Sequence, residues 1–277
     1  MNGVRVKAYA KINLTLYVCG RKNGYHMLDS LVSSVDLYDL ITLKKRADSA
    51  VTITGCEGIP PEENNAVKAA KLFIKEFATS GVDITVEKKI PFGAGLGGSS
   101  ADAAGVLNGL AKLYKIRDRE KLGCIADMTG SDTRYMLTGG FARLFGRGER
   151  VKPVDGKLKL YLLLLVPDEK VSTPLCFKAF DALGKFGGNS DEAEKAAAAG
   201  DIIGLAHSLS NSLTDAAVSL SDGVRECIGQ LKNLNALAVN MTGSGSGVYA
   251  IFESYKLCKT AKRQYSGNAE SFILSTR

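Results

Sequence analysis

The 277-residue chain has no tryptophan, only two histidines, six prolines and six cysteines. Each shortage removes a class of function. Cys19, Cys56, Cys124, Cys176, Cys227 and Cys258 are dispersed and none forms a Cys-x-x-Cys pair. With so few histidines beside them, no zinc-ligand spacing remains. The dispersal also argues against a disulfide framework and for a reducing cytoplasm, with the thiols packed as small apolar residues. The longest apolar run, 160–166, is far below the ~20 residues that cross a bilayer. The first residues lack a signal-peptide apolar core, so no membrane association is expected. Without tryptophan or aromatic–basic interleaving there is no stacking platform for single strands, and no nucleic-acid partner is expected. The net charge of +7 suits attraction of small phosphorylated ligands instead.

Glycine, by contrast, is plentiful, and it clusters. Residues 91–104 read Pro91-Phe92-Gly93-Ala94-Gly95-Leu96-Gly97-Gly98-Ser99-Ser100-Ala101-Asp102-Ala103-Ala104. Four glycines in this stretch free the backbone to curl until several N–H groups face one point. Ser99 and Ser100 suit a helix N-cap, and the Ala/Leu-rich run to about Tyr114 suits the helix behind it. Loop plus helix N-terminus makes an anion site fitted to phosphate. A Walker A loop is excluded because its lysine is missing. Gly93-x-Gly95-x-x-Gly98 matches the dinucleotide fingerprint, but Pro91 and Phe92 separate it from the preceding strand and no acidic-ended second strand follows.

Apolar alternation predicts one or two strands over 4–19, and further strands over 31–45, 51–54, 82–90, 139–145, 237–240 and 248–252. The continuous apolar run predicts a central strand over 157–166. Helical spacing predicts helices over 65–77, 121–128, 192–199 and 221–231, with a final helix over 254–264. Residues 146–149 read as a turn and 184–189 as a mobile loop. The order lacks an even βαβ rhythm, so the fold class is α+β. The Pro/Gly stretch 153–157 is the expected boundary between domains 1–153 and 154–277.

Three motifs stand in a telling order: Tyr9-Ala10-Lys11-Ile12-Asn13-Leu14 near the start, the Gly/Ser loop in the middle, and Met241-Thr242-Gly243-Ser244-Gly245-Ser246-Gly247 near the end. The set resembles the GHMP kinase superfamily. The segments 23–28 and 35–39, with 139–142 and 146–149, look most like the branch that phosphorylates a cytidine-diphospho sugar alcohol. The resemblance implies an N-terminal ribosomal-protein-like α/β lobe that binds ATP and a C-terminal ferredoxin-like lobe. It implies ATP with Mg2+, phosphates held by Gly93, Gly95, Leu96, Gly97, Gly98, Ser99 and Ser100, and an adenine contact from Asn65. Asp132 stands where the family has its catalytic aspartate, and Lys11 where it places a lysine. Asn13, Tyr25, His26, Phe177, Gly243 and Ser244 are implied on the substrate side.

Taken singly, these residues keep other readings. Lys11 reads as an exposed strand lysine, Asp132 as a turn or cap aspartate, Asn65 as a helix cap, His26 as a structural histidine and Phe177 as core. Asp102 suits the first turn of its helix, where the dipole favours it; a part in holding Mg2+ is the other reading, and Asp102 is left unassigned, with the metal ligands unknown. The family pattern Ala-Asp-Val-Pro-Phe is replaced by Ser131-Asp132-Thr133-Arg134-Tyr135, which predicts a changed wall of the acceptor pocket. Asn211-Ser212-Leu213 stands where the family has Asn-Asp-Leu. A homoserine- or mevalonate-type acceptor, or a regulator that binds nucleotide without turnover, remains open at this level, as does the oligomeric state.

Overall fold

A computed structural model describes residues 3–156 and 158–277. Lys157, the expected start of the central strand, lies outside the described residues, as do Met1 and Asn2 at the head of the segment read for a signal core. The chain opens with β1 (Gly3–Asn13), β2 (Thr15–Lys22), β3 (Tyr25–Lys45), β4 (Val51–Thr54), α1 (Asn65–Phe77) and β5 (Val82–Glu87). It continues through α2 (Gly98–Tyr114), α3 (Arg119–Thr129), α4 (Thr133–Met136), β6 (Phe141–Gly146), β7 (Arg150–Pro153) and β8 (Tyr161–Val166). Then come α5 (Thr173–Leu183), α6 (Asp191–Ala199), α7 (Ile202–His207), β9 (Ser210–Asn211), α8 (Thr214–Leu220) and α9 (Asp222–Lys232). β10 (Ala238–Met241), β11 (Val248–Phe252), α10 (Tyr255–Gln264) and β12 (Glu270–Ser275) complete it. Pairing is mainly antiparallel, as α+β requires.

Two compact units interleave along the chain, so neither is one continuous stretch. The first comprises the stretch up to Ala10, then Leu37–Ile90 and Gly97–Gly139. There β5 runs antiparallel to the second half of β3, with Leu40 opposite Glu87 and Lys45 opposite Val82, and β4 lies parallel to β5. α1 packs on α2, and α3 on both. α1 starts where Asn64 Oδ1 accepts from the Ala66 N–H at 2.9 Å, so the cap is Asn64 and the Asn65 side chain is released for other work. β5 stops at Glu87, earlier than its sequence pattern predicts. The carboxylate of Asp39 accepts the N–H groups of Lys89 (2.5 Å) and Ile90 (2.9 Å), which draws the chain out of the strand ladder.

The second unit holds Lys11–Asp36, Pro91–Leu96 and Gly140–Arg277. Asn23 and Gly24 both have positive φ (51° and 79°) and join β2 to β3 in a two-residue hairpin turn. That turn fixes a register in which Arg21 faces His26 and Lys22 faces Tyr25. β6 pairs with 28–33 of β3 and turns back into β7. A separate antiparallel sheet has the order β10-β11-β8-β12. Its core gathers Leu163, Leu165, Val248, Ala250 and Phe252 with Phe180, Leu213, Val224 and Leu231 from the helices, together with Leu16 and Val18 of β2. A buried guanidinium supports the other side: Arg143 grips Asp29 of β3 through Nε (2.8 Å) and Nη2 (2.5 Å), and Asp191 and Glu194 of α6 through Nη1 (2.6 and 2.8 Å).

Several expectations are corrected. β12 follows α10, so the last predicted helix is not the last element. β8 is shorter than predicted and begins at Tyr161. Cys176, Cys227 and Cys258 are buried apolar packing residues, but Cys19 and Cys124 are exposed. No helix among the described residues is long and apolar enough to cross a membrane.

Candidate active site

The glycine loop does what its composition dictates, with one change of detail. Gly93, Gly95 and Gly97 all have φ near +70° (67°, 70° and 70°), a region costly for other residues. Neither serine caps α2. The helix starts at Gly98, the cap position is the left-handed Gly97, and no side chain bonds to the helix end. Ser99 Oγ is instead the acceptor of Asn65 Nδ2 at 2.9 Å, so the expected adenine-contacting residue and the loop serine are tied together. The first-turn N–H groups of α2 are thereby left without a side-chain partner, which is the condition for an anion site. Behind the turn lies a buried charge cluster. Lys88 Nζ donates to Asp39 Oδ2 at 2.5 Å and to Asp102 Oδ2 at 2.8 Å. Asp102 Oδ1 is buried with no hydrogen-bond partner among the described residues, and burial pushes this carboxyl up to about 7.

The 91–96 stretch packs backbone to backbone on the 242–247 loop. A Cβ on Gly95 would lie 2.0 Å from the Thr242 carbonyl oxygen, so only glycine fits. Thr242 Oγ1 donates to the Gly95 carbonyl (3.1 Å), and the Ser246 N–H to the Gly93 carbonyl (3.1 Å). Asn13 organises the same region. Its Oδ1 accepts from the Gly243 N–H (2.9 Å), its Nδ2 bonds to Ser30 Oγ (2.8 Å), and its own N–H donates to Thr242 Oγ1 (3.1 Å). An implied substrate contact is therefore first a fastener of the Gly243 turn. Lys11 is buried rather than exposed; its Nζ donates to Asn13 Oδ1 and its N–H to the Leu96 carbonyl (3.0 Å). Ser244 Oγ meets Thr173 Oγ at 2.7 Å at the start of α5.

Asp132 occupies the cap position of α4, yet its side chain makes no capping bond, so the simple cap reading does not hold. Arg134 is tied to the neighbouring helix. Its guanidinium is held by Asp127 of α3 through Nε (2.6 Å) and Nη2 (2.5 Å), crossing α3 where Gly123 leaves room. The buried neighbour there is Thr133, whose Oγ1 has no hydrogen-bond partner.

Tyr25 and His26 follow the hairpin turn at the start of β3. Tyr25 is half exposed and the Arg147 guanidinium lies over its ring at 3.7 Å. His26 stacks on Phe177 of α5 (4.5 Å between centroids, 28° between planes), so Phe177 is partly buried against His26 and not deep in the core. His26 Nε2 also bonds to Asp181 Oδ1 at 2.7 Å, and Arg21 Nη2 to Asp181 Oδ2 at 2.7 Å. Sequence reasoning missed Asp181 and Arg21. For Arg21 the Asn-Gly hairpin signal, which sets it opposite His26, was the available clue; for Asp181 there was none.

The chain matches the family model for the GHMP kinases N terminal domain over residues 64–141 and the GHMP kinases C terminal model over 193–268. It is 36% identical to a 4-diphosphocytidyl-2-C-methyl-D-erythritol kinase of Alkaliphilus metalliredigens, covering 96% of this chain and 94% of that one. It is 38% identical to one of Desulfitobacterium hafniense, covering 91% and 88%. A crystal structure of 4-(cytidine 5'-diphospho)-2C-methyl-D-erythritol kinase superposes with a TM-score of 0.83 at 32% identity, over 99% of this chain and 100% of that one. Homoserine kinase from Cytophaga hutchinsonii shares the fold at a TM-score of 0.74 and 19% identity, over 100% and 95% of the two chains. On sequence and on structure, this chain belongs to the GHMP kinase family.

Proposed function

We propose that this chain transfers the γ-phosphoryl group of ATP to the 2-hydroxyl of 4-diphosphocytidyl-2-C-methyl-D-erythritol, a step of non-mevalonate isoprenoid precursor synthesis carried out in the cytoplasm. The observation that carries it is identity above a third with kinases of that name, over nearly the full length of both chains. The uncapped start of α2 supports the ATP half of the reading, with phosphates meeting N–H groups from Gly95 to Ser100 and adenine near Asn65. The ring pair His26–Phe177 supports the cytosine half. The two family matches fall on either side of residue 153 and support an ATP-binding lobe within 1–153 and a second lobe within 154–277, although the compact units of the fold exchange the stretches 11–36 and 91–96 across that division.

Phosphoryl transfer asks for in-line positioning and charge stabilisation more than covalent help. The acceptor oxygen forms the new P–O bond while the bond to the β–γ bridging oxygen breaks and ADP leaves. Asp132 orients the acceptor hydroxyl and takes its proton, and Lys11 offsets charge on the transferring group. Mg2+ needs only one or two protein carboxylates when phosphates supply the rest of its oxygen shell. No cluster of three metal-ligating side chains exists among the described residues, but Asp102, which lies beyond the first turn of α2 and not in it as its sequence position suggests, has an Oδ1 without a hydrogen-bond partner among the described residues and fits a single-carboxylate site. Bound there, the ion would neutralise phosphate charge.

The test offers the purified chain ATP with cytidine- and uridine-diphospho-methylerythritol, homoserine and mevalonate. Phosphorylation of the cytidine compound above all others is expected. Phosphorylation of a base-free acceptor alone would overturn the acceptor, and nucleotide binding without any turnover would overturn the enzyme.

A further inference from the structure

His26 presents one ring nitrogen to Asp181, and that choice fixes what the other can do. A carboxylate only accepts hydrogen bonds, so Nε2 at 2.7 Å from Asp181 Oδ1 carries the proton. In the neutral ring Nδ1 is then a bare acceptor. It has no hydrogen-bond partner among the described residues. The Asp181 charge is already answered on its other oxygen, where Arg21 Nη2 lies at 2.7 Å, so the contact does not require an imidazolium. The ring cannot turn away easily either. Phe177 covers one face at 4.5 Å and Phe180 meets it edge-on at 6.5 Å. The register of the β2–β3 hairpin sets Arg21 and His26 opposite each other, so α5 brings a single aspartate to both.

We propose that Asp181 is the positioning residue that makes the site choose cytosine over uracil, by locking His26 in the tautomer whose free Nδ1 accepts a hydrogen bond. This rests on the cytidine acceptor proposed above. Cytosine offers its N4 amino group as a donor to that nitrogen. Uracil places an acceptor oxygen there, and two facing acceptors leave both unpaired, a mismatch that sites of this kind reject strongly. Asp181 touches no substrate in this account; it acts through His26.

Because the chain has only two histidines, the ring nitrogens can be read directly. Long-range 1H–15N spectra of 15N-histidine-labelled protein, recorded across a pH series, are assigned with the exposed His207 changed in His207→Gln. The wild type should show His26 as the Nε2–H tautomer. Asp181→Asn, which can turn its amide NH2 toward Nε2, should shift signal toward the Nδ1–H form, whereas Asp181→Glu should keep the wild-type pattern. In parallel, the ratio of kcat/KM for the cytidine over the uridine compound should fall by about tenfold or more in Asp181→Asn, mainly through KM. An Nδ1–H ring in the wild type, or an unchanged ratio in a folded Asp181→Asn protein, overturns the proposal. If the wild type phosphorylates neither compound, the functional reading has failed, and the spectra still decide whether Asp181 sets the tautomer.

Discussion

Two glycines in the same loop, both with φ near +70°, should respond very differently to the same added methyl group. At Gly93 the nearest atoms to the new Cβ belong to the flexible Lys170 side chain, at 3.3 Å or more. Gly93→Ala therefore carries only the left-handed backbone cost of ~1–2 kcal/mol. At Gly95 the Cβ would sit 2.0 Å from the Thr242 carbonyl oxygen and 3.2 Å from that of Gly245, both backbone atoms. The 242–247 loop must then move, which disturbs Gly245 N–H to Thr242 O (3.1 Å), Thr242 Oγ1 to Gly95 O (3.1 Å) and Gly243 N–H to Asn13 Oδ1 (2.9 Å). Losing two of these at ~0.5–1.5 kcal/mol each adds ~1–3 kcal/mol. At ~2–4 °C per kcal/mol for a chain of this size, Gly93→Ala should melt about 4 °C below wild type and Gly95→Ala about 10 °C below. Thermal melts followed by circular dichroism, run side by side, make the comparison. Midpoints within about 2 °C of each other, less than the shift ascribed to a single kcal/mol, would refute the claim that Gly95 is required by the approach of the 242–247 loop.

Asp132→Asn should lower kcat by ~10²–10⁴ with little change in KM for the acceptor, measured by coupled ADP release; a loss under tenfold would remove Asp132 from the chemistry. Burial raises the Asp102 pKa to about 7 against an ordinary value near ~3.9, so the folded chain holds a proton the unfolded chain has released. The stability it contributes is present below about pH 4 and falls as pH rises to about 7. Asp102→Asn should remove that component, so its melting temperature in EDTA should change less between pH 5 and 8 (roughly the upper side of this window) than that of the wild type. Arg134→Ala should cost only ~0.5–1 kcal/mol, since its pair with Asp127 is about one-third exposed, and should leave acceptor KM unchanged. A raised KM there would restore Arg134 to the acceptor wall.

Much of this was legible from residue order. The helix at 65–77 and the strands at 51–54 and 248–252 follow from periodicity, and the kinase assignment from three motifs whose spacing no single one could carry. What stayed hidden depended on partners distant in sequence. β12 is a short edge strand whose ladder partner among the described residues is β8, about a hundred residues earlier, so local pattern could not separate it from a loop. Ser99 looked like a cap because serine usually is one, but Asn65, 34 positions away, claims its hydroxyl. Arg134 looked like a pocket residue because it breaks the family pattern; its pairing with Asp127 on the neighbouring helix could not be read from that pattern. Asp181 carries no sequence signal at all, since its meaning lies in the histidine it faces.

The interleaved units bear on the order in which a ribosome delivers the chain. The second unit begins with Lys11–Asp36 but is not complete until β12 has paired with β8. About 240 residues separate Asp36 from Ser275, which at ~5–20 residues per second is roughly 12–50 s of synthesis. Leu163, Phe180, Leu213 and Phe252 emerge one after another in the second half of that interval, so Leu16 and Val18 gain the core that covers them only towards its end. Nascent chains of this protein should therefore expose β2 to trigger-type holding chaperones until late in translation. The first unit, whose last stretch ends at Gly139, can close long before then.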